Sequence, residues 1–195
     1  MKITYKKIWQ LAKPYLKKGV RKDFVLHTLG VIKAMELLLK KEEGNRDVLV
    51  PAAILHDAGW AKVPVKLQKS NKKNEQLKAL KLHIKYASPI MNTILTKIGY
   101  NKKLIKNIVE ICLALKFKIP KNNNEKLLID ADSLSDTFKE QFESDLKAYN
   151  SAPGKLYKFR EKNKFYTKTA KQIFKGDLLK IKKSIIGKKS NISTP

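Results

Sequence analysis

Two histidines and two aspartates in this chain have the types and spacing that a metal site needs. His56 and Asp57 are adjacent, inside AAILHDAGW. The apolar run Ala52, Ala53, Ile54, Leu55 before them reads as the end of a buried helix, and two ionisable side chains placed there need partners. Neighbouring helical residues point roughly 100° apart, so both can reach one ion near the helix terminus. His27 lies on the apolar side of another helical pattern, with Phe24 and Val31. Asp132 stands in LLIDADSLSD. Asp130, two residues earlier, points roughly 200° away on a helix, so only one of the two faces a given site. Replacing Asp130 is therefore expected to be mild. Taken singly, each residue has an ordinary alternative: a capping aspartate, a satisfied core histidine, a carboxylate near a helix N-terminus. Taken together, imidazole and carboxylate suit one divalent ion (Mn, Fe, Zn, Co or Ni) rather than a thiolate-held one. Such a set leaves positions for water and substrate, as a hydrolytic site needs.

The elements that must position these residues are helices. Glycine is rare, turn pairs of the Asn-Gly type are absent, and apolar residues recur at spacings of three and four. The pattern predicts helices over 5–17 and 22–42, the first with Ile8, Leu11, Ala12 and Tyr15 on one face. The second carries Phe24, His27, Val31, Ala34, Met35 and Leu38 as a stripe and ends near Gly44, placed for a left-handed cap. Asp47 is read as an N-cap, Pro51 as a first-turn proline, and the helix as running to Asp57 and stopping at Gly59. Residues 61–74 read as a loop. Helices follow at 75–98, with a restart at Ser88-Pro89, then at 101–117 and from 125 to 135. A mobile stretch near 150–156 leads to a last helix at 165–186, with the final KKSNISTP frayed. The fold class is all-α, a helical bundle with a core over 1–150 and a helical extension over 151–195 packed on the same domain.

The order His, His-Asp, Asp, in the contexts FVLHTLGVIKAMELLL, AAILHDAGW and LLIDADSLSD, resembles the HD superfamily of metal-dependent phosphohydrolases. The likeness covers roughly residues 20–136, with a further similarity at FYTKTAKQI. It implies an all-helical domain in which His27, His56, Asp57 and Asp132 bind one metal. It also implies hydrolysis of a phosphoester, a nucleotide or small phosphorylated metabolite. The acidic residues that help activate water in some members have no match between Gly59 and Asn74, which leaves a metal-bound water assisted by Asp57 as the expected nucleophile. His83, in LKLHIKYASPIM, resembles the family histidine that contacts the substrate phosphate or ligates a second metal; a plain helix histidine is the alternative. The next helix, LIKNIVEICLALKFKIP, lacks the histidine that dinuclear members carry, which argues for a single ion and against oxidative chemistry. Lys62 and Lys66 follow the His-Asp helix and could meet a phosphate as point charges, or belong to a solvated loop. Trp60 could stack on a base or fill a gap.

Charge sets the remaining expectations. The chain has 43 Lys+Arg against 17 Asp+Glu, a formal net charge of +26, and only three of the cations are arginines: Arg21, Arg46 and Arg160. A field of this size draws polyanions without the bidentate reading that arginine supplies. An HD-fold scaffold that binds nucleic acid or phosphates with little turnover is thus the competing function. No apolar run approaches the ~20 residues needed to span a bilayer. The opening MKITYKKIWQLAKPYL lacks the apolar core of a secretory signal. Cys112 is the only cysteine, which suits a reducing, cytoplasmic setting. Oligomeric state has no signature in the sequence.

Overall fold

A computed structural model describes residues 2–20, 23–117 and 119–190, with side chains left out at 116–117 and 186–190. Its described residues form helices and no strands. In order they are α1 (Ile3–Leu16), α2 (Phe24–Leu38), α3 (Arg46–Leu55), a 3-10 turn (Ala58–Lys62) and a short α4 (Val65–Gln68). Then come α5 (Lys73–Lys97), α6 (Lys102–Phe117), α7 (Asn123–Ser135), α8 (Lys139–Ala148), α9 (Pro153–Arg160) and α10 (Lys168–Ser190).

The bundle is built round α3. Every residue from Val48 to Leu55 is buried, because this segment is apolar on all sides and α1, α2, α6 and α7 each pack against it. Its last turn therefore ends inside the protein, which is what brings His56 and Asp57 into the interior. Asn45, not Asp47, caps the start, its side chain accepting from the Asp47 N–H. Pro51 lies deeper than the first turn and takes away the donor that would have served the Asp47 carbonyl. The Tyr100 hydroxyl replaces it, donating to that carbonyl at 2.6 Å.

Tyr100 is held there by the end of α5. Gly99 has φ of +69°, and Tyr100 N–H returns to the Leu95 carbonyl while Gly99 N–H bonds Thr96, a Schellman closure. That is where the left-handed glycine sits. Gly44, expected in that role, sits instead in a close space: a Cβ there would lie 2.6 Å from a terminal methyl of Leu49 and 2.9 Å from one of Leu127, which would have to turn aside. The α5 helix runs through Pro89 without a restart, and the expected loop at 61–74 contains the 3-10 turn and α4. The stripe expected on α2 is buried throughout. On α1 the buried set is Tyr5, Ile8, Ala12 and Leu16, so Leu11 and Tyr15 lie at its edge. The stretch expected to be mobile begins α9 at Pro153. From 191 onward the tail expected to fray lies outside the described residues. No helix among the described residues is long and apolar enough to cross a membrane.

Candidate metal centre

Four side chains converge where α3 ends between α2 and α7. His27 comes from the first turn of α2, His56 and Asp57 from the residues closing α3, and Asp132 from the last turn of α7. His27 Nε2 is 3.1 Å from Asp132 Oδ1 and 3.7 Å from Asp57 Oδ2. His56 Nε2 is 3.2 Å from Asp57 Oδ2 and 3.5 Å from Asp132 Oδ1, and the two Nε2 atoms are 3.4 Å apart. Ligand atoms about 2.1 Å from one ion lie roughly 3.0–3.4 Å from each other in octahedral or tetrahedral arrangements. The donor set and its spacing therefore fit a single divalent cation. His27, His56 and Asp57 are buried and form a group that could hold one; the Asp132 side chain keeps 24% of its surface exposed and marks the open side.

Backbone and hydroxyl groups fix which nitrogen each imidazole presents. His56 Nδ1 donates to the Ala53 carbonyl at 2.9 Å, which leaves Nε2 for the centre. Ser135 Oγ donates its one proton to the Asp132 carbonyl at 2.7 Å, so towards His27 Nδ1, at 3.1 Å, it can only accept. His27 Nδ1 therefore carries a proton and its Nε2 also faces the site. Ser135 and the Ala53 carbonyl were not singled out from the sequence. The available signal was position: Ser135 follows Asp132 by three residues and so shares its helix face.

Asp57 is steered by Trp60. The indole N–H donates to Asp57 Oδ1 at 3.2 Å, leaving Oδ2 for the imidazoles. The indole itself lies between Phe24 and His83, with ring centroids 6.4 and 4.6 Å away. Gly59 permits this stack, because a Cβ there would come within 2.3 Å of the His83 carbonyl and push the 3-10 turn off α5. Trp60 thus fills a gap and orients a carboxylate. His83 is fully buried against it, and a side chain without exposed surface does not meet a substrate phosphate as it stands. The structure brings His83 to Trp60 rather than into the group that could hold an ion. Lys62 ends the 3-10 turn and Lys66 lies in α4; both are exposed.

The fold and the site first define a class: an all-α bundle in which two imidazoles and a carboxylate meet at a buried helix end. The family follows from the sequence profile of the HD domain, which matches residues 24–137, and the chain belongs to the HD-domain family. Comparison with curated proteins and with solved structures gives no match.

A pH dependence follows from His27. Burial pulls its pKa down, but the hydrogen bond and charge of Asp132, with the charges of Asp57 and Asp136, outweigh burial and raise it. Without metal, the protonated form is the stabilised one. Its contribution is complete below the ordinary histidine value of about 6.5 and is lost as pH rises through the raised value. A metal needs the unprotonated nitrogen, so its stabilising effect grows in the opposite direction. Melting temperature from about pH 6 to about pH 8.5 is expected to fall for metal-free protein relative to the Mn²⁺-loaded form, with the gap widening upwards. A gap that stays constant across this range would show that no proton leaves His27 on binding.

Proposed function

We infer that this chain is a mononuclear metal-dependent phosphohydrolase acting on a nucleotide or another small phosphorylated metabolite. The observation that carries the reading is the convergence of His27, His56, Asp57 and Asp132 at ion-ligand spacing, with both imidazole tautomers set towards the centre. We assign these four as the ligands. When bound, a divalent ion supplies Lewis acidity towards a phosphoryl oxygen and acidifies water at neutral pH.

The protein's own residues do the rest. Ser135 and the Ala53 carbonyl hold the imidazoles in one tautomer, and Trp60 aims the Asp57 carboxylate. With Oδ1 held by the indole N–H, Asp57 presents Oδ2 to the centre as its ligand atom, and the second lone pair of Oδ1 is the one left to take a proton from an attacking water. Lys62 and Lys66 offer charge to the phosphate from the solvent side. His83 supports the site through Trp60.

The test joins metal analysis to a phosphoester panel. One transition-metal equivalent per chain and turnover of at least one phosphomonoester or phosphodiester are expected. Two equivalents would refute the mononuclear reading, and none after repletion would refute the site. A second reading, an anion-binding HD scaffold, draws on the +26 charge. It takes over if metal is bound and a broad panel, nucleotides included, stays intact.

A further inference from the structure

The positive charge is not spread evenly. Residues 58–109 carry twelve lysines and a single acidic residue, Glu75, while the other sixteen acidic residues lie outside this stretch. The α5 helix forms its backbone. Lys78, Lys81 and Lys85 are exposed at i, i+3 and i+7, on one side of the helix. That row covers about 10 Å of helix length. Asn74 and Asn92 extend the same stripe and are exposed, and Ser88, on the same side, is half-buried. The opposite side, with Ala79, His83, Ala87 and Ile90, is buried in the bundle, so the lysine row stands clear of its own protein.

We propose that this α5 face is a binding surface for the phosphate backbone of nucleic acid, engaged without base specificity. Three features choose this partner. The cations are lysines, which act on phosphates as point charges and do not fork onto bases as arginines do. The neighbouring stripe positions are amides and a hydroxyl, groups that hydrogen-bond phosphate and sugar oxygens. Leu77 is the one large apolar side chain exposed on α5, too little for insertion into a lipid surface, where an apolar helix face is required. The proposal is independent of turnover at the metal centre.

The α10 helix provides an internal comparison. Lys168, Lys171 and Lys175 are exposed there with the same i, i+3, i+7 spacing. Acidic groups share that region: Asp177 pairs with Lys180, Glu42 accepts from Thr169 N–H, and the charge of Lys171 acts on Asp130. Equal changes in charge can therefore be made in two settings. The full chain is titrated with a fluorescent mixed-sequence oligonucleotide of about 30 nucleotides, from about 50 to 200 mM salt, with anisotropy as readout.

Lys78→Glu/Lys81→Glu/Lys85→Glu is expected to weaken binding at low salt at least about tenfold. It should also reduce the slope of log affinity against log salt by about 2, three phosphate contacts at roughly 0.7 each. Lys168→Glu/Lys171→Glu/Lys175→Glu should lose less than a third of that slope. Lys→Gln versions guard against effects of reversed charge, and metal content with melting temperature shows that each variant is folded. Equal losses in the two triples would overturn the proposal, because the field would then be diffuse. So would absence of binding by the wild type at low salt. Tighter binding to vesicles containing about 30% phosphatidylserine, abolished by the α5 triple, would reassign the face to membranes.

Discussion

Asp57→Ala is expected to lower metal affinity and phosphoesterase turnover by at least about a hundredfold, roughly 3 kcal/mol in transition-state terms. The size of the effect comes from what the carboxylate joins. Its Oδ2 is the oxygen nearest His56 Nε2, at 3.2 Å, and also faces His27 Nε2, at 3.7 Å. Removing it takes one donor atom and one negative charge from a buried group of three, and leaves two imidazole nitrogens 3.4 Å apart with less charge to balance an ion. Alanine removes little core volume, so the helical circular-dichroism signal should persist, with a lower melting temperature only when metal is present. Trp60→Phe separates positioning from ligation. It keeps a ring between Phe24 and His83 but removes the N–H that holds Asp57 Oδ1, so it should weaken metal binding less than Asp57→Ala does. Metal content by elemental analysis and turnover on the best phosphoester are read on the same samples. Full metal content in Asp57→Ala would remove Asp57 from the ligand set; lost metal without any wild-type activity to lose would leave the centre standing and the hydrolase reading refuted.

The convergence of these residues was legible because each sits on an element with a strong local signature. His27 lies in an apolar stripe that is buried as a unit, and the segment ahead of His56 is apolar on all sides, which forces its end inside. Other features depend on contacts that no periodicity carries. In α8 the buried set is Phe142 with Gln141 and Asp145, a mostly polar face. It is neutralised by bonds from Gln141 to Asp23 and Asp145 and from Arg160 to Asp145 and Asp136. The apolar part of that face is only Phe142 and Leu146, which pack with Leu156 of α9 and Ile181 of α10 in a small second cluster, and so short a rhythm does not mark α8 or α9 in the sequence. Gly44 and Gly59 look alike in sequence, each closing a helical pattern. Their roles depend on neighbours distant in the chain, Leu127 for one and His83 for the other. Trp60 is the same case: its stack on His83 joins the 3-10 turn to α5 across a gap of 23 positions.

Asp130 shows where geometry was read correctly and its consequence was not. Its side chain does point away from Asp132, but into the protein: it is fully buried, and its carboxylate accepts from Tyr166 N–H at 2.8 Å, Thr167 N–H at 2.8 Å and Thr167 Oγ1 at 2.7 Å. Thr167 Oγ1 accepts in turn from Ala170 N–H, so Asp130 fastens the start of α10 to α7. Asp130→Ala is therefore expected to be severe rather than mild. Hydrogen bonds to a charged group contribute about 1.5–3 kcal/mol each, and an orphaned buried donor costs about 1–3 kcal/mol, while the removed charge returns some of its own desolvation cost. A net loss of about 3 kcal/mol is the expected result. For a chain of this size that corresponds to a fall of about 10 °C in melting temperature. Folded Asp130→Ala should still hold the same metal per chain as wild type, since the four converging residues are untouched. Urea unfolding followed by circular dichroism, with elemental analysis on the folded fraction, separates the outcomes. A stability within about 1 kcal/mol of wild type would mean that the clamp on α10 contributes little. Loss of metal from a variant that stays folded would move Asp130 from the clamp to the metal centre.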